Sequence, residues 1–404
     1  MTVLDRFLRY IQIDTKSDPS NTETPTTKGQ WELAKMLVAE LTEMGAKDIV
    51  LNEHCIVTAS IPSTLKENEK SKVIGFLAHM DTSDSAPGNV KPQLIKNYDG
   101  NDILLDKQGT AVLSPKVFPS LLDNVGNTLV ITDGTSLLGS DDKAGIAEIM
   151  TMAYTLLNNP EIPHGEIKIA FTPDEEGADG IRHFDVKAFG ADFAYTVDGG
   201  ALGEIEYENF NAAGFTVKIL GREVHPGEAK GKMINAALLA TEFASMLPAN
   251  ETPGTTSDYE GFYHLCEICG DCTEAKLSYI LREHDKDLFQ KRKKYIENVI
   301  YYLNEKYGEE RFILEMSDTY YNMKEKILPH MHLIDNAKAA MEESGITPRI
   351  VPIRGGTDGA RLSYVGLPCP NLSTGGYNFH GRFEYIPVES MEKMVDVLVN
   401  LAQK

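Results

Sequence analysis

Side chains of the types that bind divalent metals follow predicted strands at several places in this 404-residue chain. Three apolar or alternating runs of strand length, 73–78, 167–171 and 193–197, are each followed closely by a histidine or an acid. In an open α/β sheet, ligand sites lie beyond the carboxyl ends of the strands. We therefore expect the metal-type side chains to converge at one edge of a sheet. The five candidates are His79, Asp141, Glu176, Asp198 and His380.

The number and type of these ligands indicate more than one metal ion. Five nitrogen and oxygen ligands are too many for one tetrahedral zinc, and they suit two ions that share a bridging carboxylate. A mixture of carboxylates and imidazoles without a thiolate fits zinc, although cobalt or manganese could substitute. Ordinary strand-to-loop turns also favour Asp and Gly, and they would explain any one position but not all of them together. The sequence therefore predicts two Zn²⁺ per subunit and a metal-activated water.

The motifs around these residues carry a resemblance to a known family. They are His79-Met80-Asp81-Thr82, Gly139–Gly145, Asp174–Gly177, Val197–Gly199 and Asn378–Gly381. This set resembles the co-catalytic zinc exopeptidases, which include aminoacylases, succinyl-diaminopimelate desuccinylases and glutamate carboxypeptidases. Within that family the chain is most similar to the tripeptide aminopeptidases. The similarity runs from Leu4 to the C-terminus and includes Pro352–Gly359 and Gly366–Asn371.

The resemblance implies how the ligands divide between the two ions. A bridging ligand needs two oxygens, so it should be a carboxylate, and by resemblance it is Asp141. One ion would also bind His79 and Asp198. The other ion would also bind Glu176 and His380.

Two further acids have predicted catalytic roles. Asp81 lies two residues after His79, and on an extended backbone such residues point to the same side. Asp81 can therefore reach the imidazole N–H that does not bind metal and fix the orientation of the ring. A simple turn cap is the alternative for Asp81. By resemblance, Glu175 is the general base that takes the water proton and returns it to the leaving amine.

Four residues are candidates for binding the substrate. Arg354 precedes two glycines and could clamp the substrate carboxylate in a bidentate manner, with Arg282 as the second candidate. Either arginine could instead form an ordinary ion pair. His225 matches a histidine that stabilises the oxyanion in relatives and can come from a partner subunit. Asn378, or an acid of the inserted domain, is a candidate for binding the N-terminal ammonium.

The order of predicted elements indicates two domains of different character. Strand and helix patterns alternate in 1–207 and return in 322–404, which predicts an α/β catalytic domain with a mixed, mostly parallel sheet. Residues 208–321 have the order β-α-β-β-α-β, which fits a smaller α+β ferredoxin-like unit inserted into the first domain. By resemblance this insert is a lid or dimerisation domain, so a homodimer through it is expected.

Composition excludes several other classes of protein. The formal net charge is −21, and 290–294 is the only basic cluster, on a predicted helix, so no nucleic-acid partner is expected. No run of 18 apolar residues predicts a membrane helix. The N-terminal residues form an amphipathic pattern without signal-peptide features, which predicts a cytoplasmic enzyme.

The five cysteines allow one alternative metal site. Cys266, Cys269 and Cys272 have a spacing that could bind a metal or a cluster through thiolates. A fourth ligand is not obvious, although His264 is near. The segment also has the pattern of a strand that leads into a turn, so we interpret these cysteines as incidental, reduced thiols.

The leading hypothesis is a dizinc aminopeptidase that releases the N-terminal residue from tripeptides. The alternative within the family is a related dizinc amidohydrolase, such as a dipeptidase, aminoacylase or desuccinylase, which the metal motifs alone do not separate. A third possibility, from another class, is a catalytically inactive peptide-binding or scaffolding protein. The intact Glu175 and the complete set of ligands argue against it.

Overall fold

The computed structural model describes residues 1–66, 71–106, 108–177 and 179–404, which form two compact units. The first unit comprises Met1–Tyr207, Glu325–Val351 and Thr357–Lys404, and the second comprises Glu208–Lys324 and Pro352–Gly356. The sequence predicts that all of 322–404 belongs to the first domain, whereas 322–324 and Pro352–Gly356 lie in the second unit. Pro352–Gly356 differs because the backbone N–H of Ile353 donates to the carbonyl of Glu208 at 2.8 Å.

Short strands and helices of ordinary length alternate along the chain. In chain order the strands are β1 (Lys47–Leu51), β2 (Val57–Ile61), β3 (Ile74–His79), β4 (Gln93–Ile95), β5 (Ile103–Leu104), β6 (Val112–Leu113), β7 (Leu129–Ile131), β8 (Ile167–Thr172), β9 (Phe193–Gly199), β10 (Glu204–Glu206), β11 (Asn211–Leu220), β12 (Phe262–Gly270), β13 (Glu274–Glu283), β14 (Phe312–Tyr320), β15 (Arg349–Ile350), β16 (Asn371–Ser373) and β17 (Tyr385–Pro387). The helices are α1 (Val3–Tyr10), α2 (Lys28–Met44), α3 (Ser140–Asn158), α4 (Val186–Phe189), α5 (Ala236–Met246), α6 (Lys286–Tyr307), α7 (Lys324–Ile327), α8 (His332–Glu343), α9 (Asp358–Tyr364) and α10 (Val388–Leu401).

The main sheet of the first unit has the strand order β1-β2-β8-β3-β9-β16-β10-β15. Its central strands β8, β3, β9 and β16 are parallel, and antiparallel pairs flank them. Strand β3 is buried along its whole length, as expected for a central strand that is covered on both faces. This topology confirms the predicted mixed, mostly parallel sheet and brings the ends of β3, β8 and β9 to one edge.

Helix α3 is the central helix of the first unit. Its apolar residues Ile146, Ile149, Met150 and Leu156 are buried, and the helix contacts α1, α10, β3 and β9. Asp141 and Asp142 at its start have non-helical backbone angles. The regular helix therefore begins near Lys143, where the helical pattern of the sequence predicts it.

A smaller sheet positions two loops of the first unit. Its order is β17-β7-β4, with Tyr385 paired to Ile131 in antiparallel register. Leu113, Leu121 and Leu129 form part of the buried apolar cluster beside it. Because β7 precedes the start of α3 and β17 follows His380, this pairing brings the chain before Asp141 close to the chain after His380.

The second unit has an antiparallel sheet of order β12-β13-β11-β14. Helices α5 and α6 pack against one face of this sheet, where Phe215, Leu277 and Phe243 are buried. The rings of Phe215 and Tyr279 on neighbouring strands stack with centroids 4.8 Å apart. The element order and the strand order together are those of the ferredoxin-like unit that the sequence predicts.

Among the residues that the structure describes, no helix combines the length and apolar content that a membrane crossing requires.

A buried ion pair joins three helices of the first unit. The Arg6 Nε of α1 donates to Glu40 Oε1 of α2 at 2.7 Å, and the two side chains are only 2% and 7% exposed. The Tyr10 hydroxyl donates to Glu40 Oε2 at 2.7 Å, and Arg6 Nη1 donates to the hydroxyl of Thr151 in α3 at 3.1 Å. Both carboxylate oxygens of Glu40 and two nitrogens of the Arg6 guanidinium therefore have partners, which a buried ion pair requires.

We expect Glu40→Gln to lower the stability of the first unit by about 3 kcal/mol, since removing one partner of a buried pair leaves the other charge uncompensated. Thermal and urea unfolding of the full chain would measure this. Glu43→Gln, an exposed position of the same helix, is the matched control and should change stability little. Equal stability of both variants would show that the pair contributes nothing.

Candidate metal centre

Two groups of ligand-type side chains lie in the first unit, and they share one member. His79 at the end of β3, Asp198 in β9 and Asp141 at the start of α3 form the first group. Asp141, Glu176 and His380 form the second group. The structure therefore brings together all five candidate ligands.

The distances divide the two oxygens of Asp141 between the two histidines. His79 Nε2 lies 2.9 Å from Asp141 Oδ1 and 3.3 Å from Asp198 Oδ1. His380 Nε2 lies 2.9 Å from Asp141 Oδ2 and 2.7 Å from Glu176 Oε1. Ligand atoms around a tetrahedral zinc with bonds of about 2.0–2.1 Å lie about 3.3 Å apart. The donor set and its spacing thus fit two divalent ions that share Asp141.

Burial and mutual repulsion shift the pKa values of the acids in this cluster. Burial, together with the charge of Asp141, raises the pKa of Glu176 to about 7 and that of Asp198 to about 6. Burial alone would raise the pKa of Asp141, but hydrogen bonds from the imidazoles of His380 and His79 lower it. Hydrogen bonds to Asp141 and Glu176 raise the pKa of His380 to about 11. Such a concentration of acids and imidazoles is typical of a site that takes cations.

Asp81 contacts both a ligand histidine and the loop of the predicted base. Its Oδ1 lies 3.3 Å from His79 Nδ1, and its backbone carbonyl oxygen lies 3.0 Å from the same nitrogen. Its two carboxylate oxygens accept the backbone N–H groups of Glu175 and Glu176 at 2.9 and 3.0 Å. The sequence indicated the contact with the imidazole but not the second set of bonds. Asp81 therefore fixes the loop as well as the ring.

Glu175 is partly buried beside the ligand Glu176. Burial raises its pKa well above the usual range for a glutamate, and the charges of Asp198, Asp358 and Glu176 add to this effect. Bound cations would favour the charged form of the same carboxylate. Glu175 thus lies within the electrostatic field of the ligand cluster, as its predicted role requires.

Two more acids lie on the segments that carry the candidate ligands. Asp142 Oδ2 accepts the backbone N–H of His79 at 3.0 Å, and the Asp141–Asp142 peptide bond is cis. Asp174, which precedes Glu175, has a φ of 58°.

Helix α2 anchors the loop of Glu175 through the carboxylate of Asp174. This carboxylate accepts the hydroxyl of Thr26 and the side-chain amide of Gln30, each at 2.6 Å, and the backbone N–H of Thr26 at 2.9 Å. Since the left-handed conformation of a non-glycine residue costs about 1–3 kcal/mol, these bonds are needed to hold it.

Side-chain hydrogen bonds from Asn378 and from Ser85 fix the loop that carries His380. His380 has a φ of 64° and Asn378 a φ of 57°, and Asn tolerates this conformation well. The Asn378 amide donates to the carbonyl of Phe383 at 3.0 Å, and the Ser85 hydroxyl donates to the carbonyl of His380 at 2.5 Å. The Asn378 side chain therefore shapes the ligand loop. Its predicted role in binding the substrate ammonium stays a prediction.

Arg354 belongs to the second unit, where its guanidinium group closes a loop. Its Nη1 donates to the carbonyls of Asp258 and Glu260 at 2.7 and 3.1 Å, and Nη2 donates to Thr256 Oγ1 at 3.0 Å. The guanidinium also lies 5.2 Å from the ring centroid of Phe210. Most of its N–H donors are therefore bonded to protein atoms. The two glycines after Arg354 gave no sign of these bonds in the sequence.

The other two candidates for substrate binding in the second unit, Arg282 and His225, form fewer hydrogen bonds with the protein than Arg354 does. Arg282 Nη1 donates to the carbonyl of Leu281 at 3.0 Å, and its guanidinium lies 5.3 Å from the ring centroid of Tyr320. His225 is exposed, and its Nδ1 accepts the backbone N–H of Gly227 at 3.2 Å. Its other ring nitrogen is thus the one that suits donation to a substrate oxygen.

The cysteines form no thiolate site in the part of the chain that the structure describes. Cys266 and Cys269 are exposed on β12, Cys272 is partly exposed, and all are free thiols.

Known proteins are similar to this chain over nearly its whole length. A family model described as a peptidase dimerisation domain matches residues 207–311. A curated relative from Alkaliphilus oremlandii, named Peptidase T, is 53% identical over 402 residues, which cover 99% of this chain and 98% of the relative. The chain belongs to the peptidase T family. This membership confirms the family predicted from the motifs and the predicted enzyme class, a metallo-aminopeptidase.

Solved structures confirm the fold of this peptidase T family member. The aminopeptidase PepT from Bacillus cereus superposes with a TM-score of 0.78 at 24% identity, covering 99% of this chain and 97% of that one. A tripeptidase from Staphylococcus aureus superposes with a TM-score of 0.77 at 20% identity, with the same coverage. At these identities the likeness concerns the fold, including the inserted domain.

We expect Asp81→Asn to weaken metal binding by about 10–100-fold, as loss of a residue that orients a ligand typically does. The amide would present a donor to one of the backbone N–H groups that the carboxylate accepts. Titration of the metal-free protein with Zn²⁺ would measure the affinity. Asp84→Asn, an exposed neighbour on the same segment, is the control. Unchanged metal affinity in Asp81→Asn would remove it from this role.

Proposed function

We propose that this chain is a metal-dependent aminopeptidase that releases the N-terminal residue from tripeptides by means of two bound zinc ions. The observation that carries the proposal is the division of the Asp141 oxygens between His79 and His380, at 2.9 Å each, with Glu175 beside the same cluster. The tripeptidase name of the Staphylococcus aureus neighbour supports the choice of substrate.

The ligand cluster defines how the cations would be held. His79, Asp141 and Asp198 would hold one ion, and Asp141, Glu176 and His380 the other. When bound, two such ions lower the pKa of a shared water and polarise the peptide carbonyl. The absence of thiolates among the ligands favours zinc with mixed nitrogen and oxygen coordination.

Glu175 moves the proton in this proposal. Its carboxylate takes the proton of the attacking water and returns it to the nitrogen of the leaving amine. The bonds from the backbone of Glu175 and Glu176 to Asp81 fix the loop from which the base projects. One residue thus acts as base and then as acid, while its neighbour Glu176 serves as a ligand.

Recognition of a short peptide requires contacts with both of its charged ends. Arg282 and Arg354 are the candidates for the terminal carboxylate. The bonding pattern favours Arg282, because Arg354 already donates to three residues of the loop 256–260. His225 is the candidate donor to the oxyanion. Asn378 remains the candidate near the ammonium.

The proposal also covers the oligomeric state of the chain and its location in the cell. The match of residues 207–311 to a peptidase dimerisation domain supports a homodimer formed through the second unit. A cytoplasmic location is the expectation from the sequence, since free thiols persist in a reducing compartment.

Glu175→Gln should retain both metal ions and lose catalysis, because the amide cannot accept the proton. Removal of a general base typically lowers the rate by roughly 10²–10⁴. Turnover of a tripeptide and elemental analysis of the same preparation would separate these two effects. Glu161→Gln, at an exposed position, is the matched control. Turnover near that of the wild type would assign the base to another residue.

Substrate class is tested by comparing a tripeptide, a dipeptide and an N-acetyl amino acid, with and without a chelator. We expect the tripeptide to be cleaved fastest, a chelator to abolish cleavage, and Zn²⁺ to restore it. Preference for the N-acetyl amino acid would instead indicate an aminoacylase, and preference for the dipeptide a dipeptidase. No metal-dependent hydrolysis at all would favour a binding protein.

The carboxylate clamp is tested in the same assay with a C-terminally amidated tripeptide. Losing a charge-assisted contact should cost the wild type about 2–4 kcal/mol in transition-state stabilisation. The same amide should have little further effect on the variant that lacks the clamp. Arg282→Ala and Arg354→Ala therefore distinguish the two arginines directly.

A further inference from the structure

Glu384 is a buried acid that belongs to neither ligand group, and its side chain is only 1% exposed. Its Oε2 accepts the backbone N–H groups of Leu138 and Gly139 at 2.7 and 3.0 Å. Its Oε1 accepts the backbone N–H and the hydroxyl of Ser140 at 2.7 and 2.6 Å, and the N–H of Asp141 at 3.3 Å. One carboxylate therefore takes the N–H groups of four successive residues.

This arrangement fixes the segment that ends in the shared ligand. Successive backbone N–H groups that converge on one point form an anion-binding concavity, and here a side chain from a distant part of the sequence fills it. We propose that Glu384 is a positioning residue that holds Asp141 and His380 in the relative geometry that two metal ions require. The inference rests on the proposed metal-dependent function.

The chain on either side of Glu384 supports this role. Glu384 directly precedes β17, and its own N–H donates to the carbonyl of Gly381 at 3.1 Å, which closes the turn after His380. Strand β17 pairs with β7, whose chain continues to Asp141. The backbone of Glu384 thus belongs to the His380 loop, while its carboxylate accepts hydrogen bonds from the Asp141 loop.

A carboxylate is required at position 384 because both of its oxygens must accept hydrogen bonds. A glutamine at this position would keep a single acceptor, and its NH₂ group would face either the N–H groups of Leu138 and Gly139 or the donors of Ser140. At least two bonds would be lost, and donors would oppose one another. Glu384→Gln is nearly the same size as the wild type, so its effect reports on hydrogen bonding rather than on volume.

The two metal groups should respond unequally. Asp141, Glu176 and His380 include two residues from the segments that Glu384 joins. His79, Asp141 and Asp198 include only one. Loss of Glu384 should therefore weaken the group that contains His380 more than the group that contains His79.

The test is titration of the metal-free full-length chain with Zn²⁺, with affinities measured by competition against a chelator of known affinity. The wild type should bind two ions. Glu384→Gln should bind the ion of the group that contains His380 about 10–100-fold less tightly, and the ion of the group that contains His79 within a few-fold of the wild type. Glu40→Gln is the matched control, since it loses a buried carboxylate whose partners are Arg6 and Tyr10 of α1 and should keep both affinities.

Two milder variants keep the test decisive if Glu384→Gln does not fold. Ser140→Ala removes a single side-chain donor. It should weaken binding of the ion in the group that contains His380 a few-fold. Glu384→Asp keeps the charge but shortens the side chain, and it should retain more affinity than the glutamine variant. Unchanged affinity for both ions in folded Glu384→Gln, or in Ser140→Ala and Glu384→Asp together, overturns the inference alone. A wild type that binds fewer than two ions overturns the proposed function and this inference with it.

Discussion

Hydrogen bonds from backbone N–H groups to buried carboxylates hold the metal centre together. Asp142 accepts the N–H of His79, Asp81 accepts those of two successive glutamates, and Glu384 accepts those around the start of α3. In each case the acid belongs to one ligand segment and the donors to another. The segments that carry the candidate ligands therefore fix one another's backbones, and the candidate ligand side chains remain free to face a cation.

These bonds also explain how so many acids can be buried together. An ionised carboxylate in a protein interior is strongly unfavourable unless donors surround it, and backbone N–H groups supply two or more donors to Asp81 and Glu384. The ligand acids themselves have fewer such partners, and burial raises the pKa values of Glu176 and Asp198. The acids that accept several backbone N–H groups thus hold the backbone, and the candidate ligand acids face the site.

The sequence predicted the elements and the family because both leave local signals. Alternation of apolar residues indicated β8 and β9, and a helical period indicated α3 from Lys143 onward. The order of elements in the insert was enough to identify a ferredoxin-like unit, because few topologies are compatible with it. The ligand motifs identified the family, which comparison with curated relatives confirmed.

The remaining features depend on contacts that no local pattern encodes. Asp174 bonds to Thr26, 148 positions away, and Glu384 bonds to Ser140, 244 positions away. The placement of Pro352–Gly356 in the second unit likewise depends on a contact between residues far apart in the sequence, the pairing of Ile353 with Asn209. The hydrogen bonds of Arg354 to residues 256–260 also left no local signal, because glycines beside an arginine fit a ligand site and a closed loop equally well.

The energetics of the cluster bear on whether the chain could be an inactive relative. Clustered acids and left-handed residues such as Asp174 and His380 each destabilise the fold by an amount comparable with a typical single mutation. A scaffold that only bound peptides would gain stability by losing any of them. Their joint presence, with satisfied acids built around them, is therefore best explained by a constraint other than stability. Two cations would supply that constraint, since their charge offsets the repulsion among Asp141, Glu176 and Asp198.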